Sequence, residues 1–180
     1  MIVILIGLGA NLPSEYGTPA ETLEAAKTAL NDHGISIVKA SSTYLSAPVP
    51  VSDAPWYANA VVAVKTDLTS RILLTALNNI EAEFGRIRTY RNAPRILDLD
   101  IIAFNDEVIG NEGSHLCLPH PRMHDRAFVL KPLIDIAPTW IHPVLKLSVS
   151  ELVEKGMQTQ ADVFEQTISL EKGESYRVAG

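Results

Sequence analysis

The chain contains the segment Arg91-Asn92-Ala93-Pro94-Arg95-Ile96-Leu97-Asp98-Leu99-Asp100-Ile101-Ile102, in which an arginine-bearing loop leads into an apolar strand with two carboxylates. Apolar side chains alternate with Asp98 and Asp100, and this period of two predicts a β-strand. Because successive side chains of a strand point to opposite faces, both aspartates are expected on the same face. We predict a strand over residues 97–104 with one apolar face and one carboxylate-bearing face.

The charges around this strand indicate a site for a metal-bound polyphosphate. Mg²⁺ binds one or two protein carboxylates and completes its shell with water and phosphate oxygens, and arginine grips phosphate through forked donors. An Asp-x-Asp strand alone is also typical of a solvated sheet face. However, six of the eight arginines cluster here in a chain of net charge -6, which favours an anionic ligand over nucleic acid: Arg86, Arg88, Arg91, Arg95, Arg122 and Arg126.

The elements on either side of this strand predict the fold class. Hydrophobic periodicity and capping residues give the order strand, helix, strand, strand, helix, strand. This is the ferredoxin-like βαββαβ arrangement of the α+β class, an antiparallel sheet flanked by helices. The predicted strands are 2–9, 35–44, 57–66 and 97–104, and the predicted helices run from Thr18 to Gly34 and from Thr69 to Gly85.

Helical additions are expected after this core. Asp125 is predicted to cap a helix over 127–136, and Ser148-Val149-Ser150-Glu151 forms a capping box for a helix that ends near Gly156. A short hairpin through Val108 and Ile109 is expected after the aspartate strand. We therefore assign 1–156 to one domain and 157–180 to a C-terminal extension whose order the sequence does not determine.

Length and composition favour an ordinary globular domain. The chain has 180 residues, 47% of them hydrophobic, which suffices for one core. No apolar run reaches membrane-spanning length, the apolar start is too short for a signal peptide, and the single Cys117 excludes an internal disulfide. We expect a cytoplasmic monomer without membrane or nucleic-acid partners.

Five motifs in a fixed order resemble the 6-hydroxymethyl-7,8-dihydropterin pyrophosphokinase family of folate biosynthesis. The resemblance covers residues 1 to 155, and its most specific part is Arg-x-Ala-Pro-Arg-x-x-Asp-Leu-Asp. Asn92-Ala93 departs from the Trp-Gly of many members, and Pro121 stands where some have tyrosine. The motifs are Gly9-Ala10-Asn11, Tyr44-x-Ser46-x-Pro48 with 55–59, Glu81 with 85–88, the segment 91–102, and 119–128.

The resemblance implies transfer of a diphosphate group from ATP to the hydroxymethyl group of a reduced pterin, with release of AMP. Two Mg²⁺ ions are implied at Asp98 and Asp100, which with Arg86 and Arg95 form the implied catalytic set. The loops 46–55 and 85–95 are expected to close over the substrates. The implied ATP-binding residues are Arg88, Arg91, Ile101, His120, Pro121, Arg126 and Glu81.

The resemblance also implies a pterin pocket. Tyr57 and Phe128 match the pair of rings that stacks on the flat heterocycle, and Asn59 matches the side chain that contacts its polar edge. The full set of implied pterin contacts is Asn11, Ser46, Ala47, Val49, Tyr57, Asn59 and Phe128.

Three alternatives stay open at this point. His115, Cys117, His120 and His124 are transition-metal ligand types at close spacing, although they fit no standard zinc pattern. A non-catalytic ligand-sensing domain with the same fold would not need two Mg²⁺ ligands. A phosphohydrolase is the third alternative.

Overall fold

The computed structural model describes residues 3–48, 50, 52–85, 96–111 and 114–171. In chain order the elements are β1 (Ile4–Ala10), α1 (Pro19–Asp32), β2 (Ser36–Ala40), β3 (Tyr44–Ser46), β4 (Tyr57–Lys65), α2 (Ser70–Glu83), β5 (Asp98–Phe104), α3 (Ala127–Ile136), α4 (Val149–Thr159), α5 (Ala161–Glu165) and β6 (Ile168–Ser169). Among these described elements, no helix is both long enough and apolar enough to cross a bilayer.

The strands form one antiparallel sheet in the order β5-β1-β4-β3-β6, and β2 also pairs with β4. The order of the core strands and the helices between them confirm the ferredoxin-like prediction. The single strand predicted over 35–44 is wrong in detail, since it forms two strands. The chain leaves the ladder at Ser41, whose hydroxyl accepts a hydrogen bond from the Val61 amide at 3.0 Å, and it rejoins β4 at Tyr44.

The two faces of the sheet have different coverings. One face is apolar along its whole length and packs against α1 and α2, where alternate residues of β1, β4 and β5 form the main core. On the other face, α3 covers only the part near Leu5, Val61 and Ile102. The remaining part of that face carries Asp98, Asp100, Asn59 and two glycines of β1.

Most helix starts follow their predicted caps. Thr18 and Ser148 each form a capping box with the glutamate three residues later, and Thr69 caps α2. The predicted cap at Asp125 is wrong, because the N-cap of α3 is Arg126 and no side chain caps this helix.

The chain after β5 also differs from the prediction in the end of α4 and in the expected hairpin. Helix α4 continues through Gly156 to Thr159, so the expected end at Gly156 is wrong. Gly156 instead lies against the ring of Phe164, which docks α5 onto α4. Ile109 pairs with Leu118 in an isolated bridge instead of continuing a hairpin from β5. The boundary that we drew at 156 falls inside α4, and the division into domains stays a prediction.

Substitution Gly156→Ala should destabilise the protein, although alanine favours a helix interior over glycine by about 1 kcal/mol. The added methyl group would overlap with the buried Phe164 ring. We expect a net loss of about 1–3 kcal/mol in the free energy of unfolding, measured by urea denaturation. Lys155→Ala, at an exposed position of the same helix, is the control. Stabilisation by Gly156→Ala would contradict this packing.

Candidate active site

The two aspartates of β5 lie opposite two glycines of β1. Asp98 pairs with Gly9 and Asp100 pairs with Gly7 in the antiparallel register. Cross-strand neighbours on one face lie close enough for their side chains to interact, so glycines place no side chain directly opposite either carboxylate. The Ile102 side chain fills part of the space at Gly7, since a Cβ atom there would lie 3.1 Å from it. Both aspartates are half-buried and face the part of the sheet that α3 leaves uncovered. The predicted placement of both carboxylates on one face is confirmed.

Glu81 of α2 fixes the backbone between the two aspartates. Its Oε1 accepts a hydrogen bond of 2.7 Å from the amide of Leu99, and the side chain is buried. A buried carboxylate with a backbone donor is a strong, directional contact. The structure therefore gives Glu81 a role in positioning β5, and its predicted ATP contact stays a prediction.

His120 lies beside β5. Its backbone amide donates a hydrogen bond to the carbonyl of Ile102, a residue of β5, at 2.8 Å. Its Nδ1 accepts a hydrogen bond from the amide of Arg122 at 3.2 Å, which leaves Nε2 as the protonated nitrogen of the neutral ring. Burial, and then the charges of Arg126 and Arg122, lower the pKa of His120 to about 4, although Asp98 acts in the opposite direction. His120 is thus a neutral hydrogen-bond donor at pH 7.

Arg126 and Phe128 stand at the N-terminal end of α3. The Arg126 guanidinium carbon lies 5.4 Å from the centre of the Phe128 ring, in cation-π range. The positive end of the helix dipole adds to the charge of this corner. Because Arg126 also lowers the pKa of His120, these two side chains share one electropositive region beside Asp98.

A second group of polar side chains lies on β4 and β3. Asn59 pairs with Gly9, and its Nδ2 donates to the Ser46 hydroxyl at 2.8 Å and to the Tyr57 carbonyl at 3.4 Å. Asn59 and Ser46 are both buried, whereas Tyr57 is half-buried at the start of β4. Nearby, the Asn11 side chain donates to the carbonyl of Pro55 at 3.4 Å and so ties the end of β1 to the loop before β4.

The remaining predicted residues fall into three groups. Ala47 and Pro121 are half-buried and directly follow Ser46 and His120. The Ile101 side chain is buried in the core on the opposite face from the aspartates, which leaves only its backbone for an ATP contact. The other predicted contacts lie outside the described residues: Arg86, Arg88, Arg91, Arg95 and Val49.

Two results change the sequence-based picture. We did not predict a role for Gly7, although the Gly-x-Gly spacing in β1 was a usable signal, since it leaves both aspartates without a side chain directly opposite. The zinc alternative is contradicted, because no group of three or more His, Cys, Asp or Glu side chains within the described ranges could hold a metal ion.

Comparisons with known proteins agree with this arrangement. A model of the 7,8-dihydro-6-hydroxymethylpterin-pyrophosphokinase (HPPK) family matches residues 5–138. The chain is 41% identical over 156 residues to 2-amino-4-hydroxy-6-hydroxymethyldihydropteridine pyrophosphokinase of Haemophilus influenzae, covering 86% of this chain and 93% of the relative. The protein of the same name from Bacillus subtilis is 40% identical over 135 residues, covering 74% of this chain and 77% of the relative.

Longer relatives and solved structures match over part of their length. The Folic acid synthesis protein fol1 of Pneumocystis carinii is 38% identical over 152 residues, which are 84% of this chain but only 20% of that protein. A crystal structure of Plasmodium falciparum HPPK-DHPS superimposes with a TM-score of 0.71 at 17% identity, covering 92% of this chain and 47% of that one. At this identity the superposition supports the fold.

Removal of the Glu81 carboxylate should destabilise the protein by leaving the buried Leu99 amide without this acceptor. We expect Glu81→Ala to lower the free energy of unfolding by about 1–3 kcal/mol, and Glu81→Gln to lower it less because an acceptor oxygen remains. Urea denaturation measures both values. Glu83→Ala, on the exposed side of the same helix, should change the free energy by about 1 kcal/mol or less. Equal losses in Glu81→Ala and Glu83→Ala would contradict the positioning role.

The lowered pKa of His120 should make stability fall with acidification. The unfolded chain takes up the proton first, so stability is lost as the pH falls from about 6.5 towards 4. We therefore expect the wild type to lose more unfolding free energy than His120→Gln between about pH 7.5 and about pH 5, in protein free of nucleotide and metal. His115→Gln, at an exposed position, controls for loss of an imidazole. A constant difference between wild type and His120→Gln across this range would contradict the assignment.

Proposed function

The chain belongs to the 7,8-dihydro-6-hydroxymethylpterin-pyrophosphokinase family, whose enzymes carry out a pyrophosphokinase step of folate synthesis with ATP as co-substrate. We propose that it transfers the β,γ-diphosphate of ATP to the hydroxymethyl group of 6-hydroxymethyl-7,8-dihydropterin and releases AMP. The observation that carries this proposal is the pairing of Asp98 and Asp100 with Gly9 and Gly7, because it sets two carboxylates on one face with no side chain directly opposite either of them.

The carboxylate pair fits two Mg²⁺ ions. Both ligands are hard oxygens on the part of the sheet face that α3 leaves uncovered, where waters and phosphate oxygens would complete the metal shells. When bound there, Mg²⁺ would neutralise charge on the phosphates and lower the pKa of the attacking hydroxyl. Asp98 and Asp100 would hold the ions, and Glu81 keeps the strand between them in place.

The nucleotide half of the site would use the electropositive corner beside Asp98. His120 donates from Nε2 without adding a charge of its own, and Arg126 supplies a forked cationic donor. Arg86 and Arg95, with Arg88 and Arg91, are proposed to reach the phosphates from the segment between α2 and β5. Fixed donors aimed at phosphate oxygens stabilise charge as it shifts toward the leaving AMP.

The pterin half would lie across β4 and β3. Tyr57 and Phe128 are proposed to stack on the heterocycle, which suits a flat aromatic ligand. Asn59 is proposed to contact the polar edge, and its hydrogen bond to Ser46 limits the orientations of the amide. Asn11, Ala47 and Val49 complete the proposed pocket. The cytoplasmic location and the monomeric state stay predictions.

The products of turnover test the proposal. We expect purified protein with Mg²⁺, ATP and 6-hydroxymethyl-7,8-dihydropterin to give AMP and a diphosphorylated pterin, resolved by ion-exchange chromatography. Asp98→Asn should lower the rate by about 100-fold or more, because it removes charge next to the reacting phosphates. Asp106→Asn, in the exposed turn after β5, is the matched control and should keep the wild-type rate.

Other products would contradict the proposal in distinct ways. ADP would mean attack at the γ phosphorus and a different kinase. Inorganic phosphate without pterin modification would mean a phosphohydrolase. Nucleotide binding without turnover would favour a sensing domain.

A further inference from the structure

The C-terminal segment 161–171, which comprises α5 and β6, docks against the pterin side of the sheet. It lies beyond the residues that the family model matches. Strand β6 pairs antiparallel with β3, with Ser169 opposite Tyr44 and Ile168 opposite Leu45. The amide of Leu170 extends this pairing by donating to the carbonyl of Thr43 at 2.9 Å.

Lys131 of α3 connects this segment to the rest of the domain. Its ammonium group donates to the carbonyl of Phe164 in the last turn of α5 at 3.0 Å, and to the carbonyl of Thr167, directly before β6, at 2.5 Å. The same nitrogen lies 6.0 Å from the centre of the Tyr44 ring. One cation thus contacts the backbone of the C-terminal segment and lies over a side chain of β3.

Further contacts hold β3 against the same helix. The Tyr44 hydroxyl donates to the Asp135 carboxylate, at 3.1 Å from either oxygen, and the amide of Ser42 donates to it at 3.3 Å. Asp135 lies one turn after Lys131 in α3. The second turn of α3 and its C-terminal end therefore fix both the start of β3 and the segment that pairs with it.

These contacts bear on the pterin half of the site because β3 is short and carries Ser46. A three-residue strand makes few ladder contacts of its own, so β6 and α3 supply much of its support. Ser46 in turn accepts the hydrogen bond that orients Asn59. The two aspartates of the nucleotide half lie on β5, at the other end of the strand order from β3 and β6.

We propose that the C-terminal segment is a specificity element for the pterin, and that Lys131 is a positioning residue that acts through it on β3, Ser46 and Asn59. This inference rests on the proposed function and deepens its substrate-binding part. Loss of the Lys131 contacts lets β3 shift, so the amide of Asn59 loses its fixed orientation. Binding of the pterin weakens, while the nucleotide and the transfer step are affected little.

Steady-state kinetics of full-length Lys131→Met tests this inference. We expect KM for 6-hydroxymethyl-7,8-dihydropterin to rise about tenfold, the change that corresponds to loss of one charge-assisted hydrogen bond. KM for ATP and kcat should stay within about twofold of the wild type, since mutations that remove only ground-state binding leave kcat unchanged. Lys131→Arg retains a cationic donor and should recover part of the affinity. Lys155→Met, an exposed lysine of α4, removes the same charge and should have no effect.

A second pair of variants tests the docking of the C-terminal segment on β3 if Lys131→Met does not fold. Leu170→Pro removes the amide that donates to Thr43, whereas Leu170→Ala keeps it. We expect Leu170→Pro alone to raise KM for the pterin, by about threefold to tenfold for one backbone hydrogen bond.

The inference is overturned if KM for the pterin stays at the wild-type value while thermal stability falls, because the segment would then be only structural. It is also overturned if KM for ATP rises as much as KM for the pterin. Failure of the proposed function can be distinguished from failure of this inference, because it would appear as absence of AMP in the wild-type reaction.

Discussion

The antiparallel register between β1 and β5 is the constraint on which the site depends. It sets Asp98 opposite Gly9 and Asp100 opposite Gly7, so two carboxylates face two positions without side chains. A shift of one residue would turn both aspartates into the apolar core beneath α1 and α2. The alternation that buries Leu99 and Ile101 in that core therefore also keeps the carboxylates at the surface. Folding and the proposed metal binding use the two faces of one strand, and Glu81 fixes that strand from the core side.

The strand order divides the proposed site into two halves that share the β1 and β4 strands. The nucleotide half is charged and gathers around β5 and the start of α3, whereas the pterin half is formed by polar and aromatic residues of β4 and β3. Asn59 lies at the junction, since it pairs with Gly9 in β1 and donates to Ser46 in β3. In the nucleotide half, the neutral His120 adds a donor to the electropositive corner without adding charge.

The local features of the chain could be predicted from its sequence because their signals are local. Three such features are confirmed: the capping box at Thr18, the cap at Thr69, and the position of Asp98 and Asp100 on one face of β5. Each depends on residues within a few positions of one another. The split of 35–44 into two strands could not be predicted, since it depends on pairing with β4. The glycine signal at 156 was misinterpreted because its cause is the ring of Phe164, a residue from another helix. The docking of β6 likewise depends on Lys131 and Tyr44, which are distant in sequence.

The most direct test of the central claim is the stoichiometry of divalent metal bound with nucleotide. Mn²⁺ replaces Mg²⁺ at oxygen-ligand sites and is observable by electron paramagnetic resonance. With a non-hydrolysable ATP analogue present, the account predicts two tightly bound Mn²⁺ ions per wild-type chain and loss of that binding in both Asp98→Asn and Asp100→Asn. Unchanged Mn²⁺ binding in both variants would show that the carboxylates opposite Gly9 and Gly7 do not hold the metal, and would contradict the account.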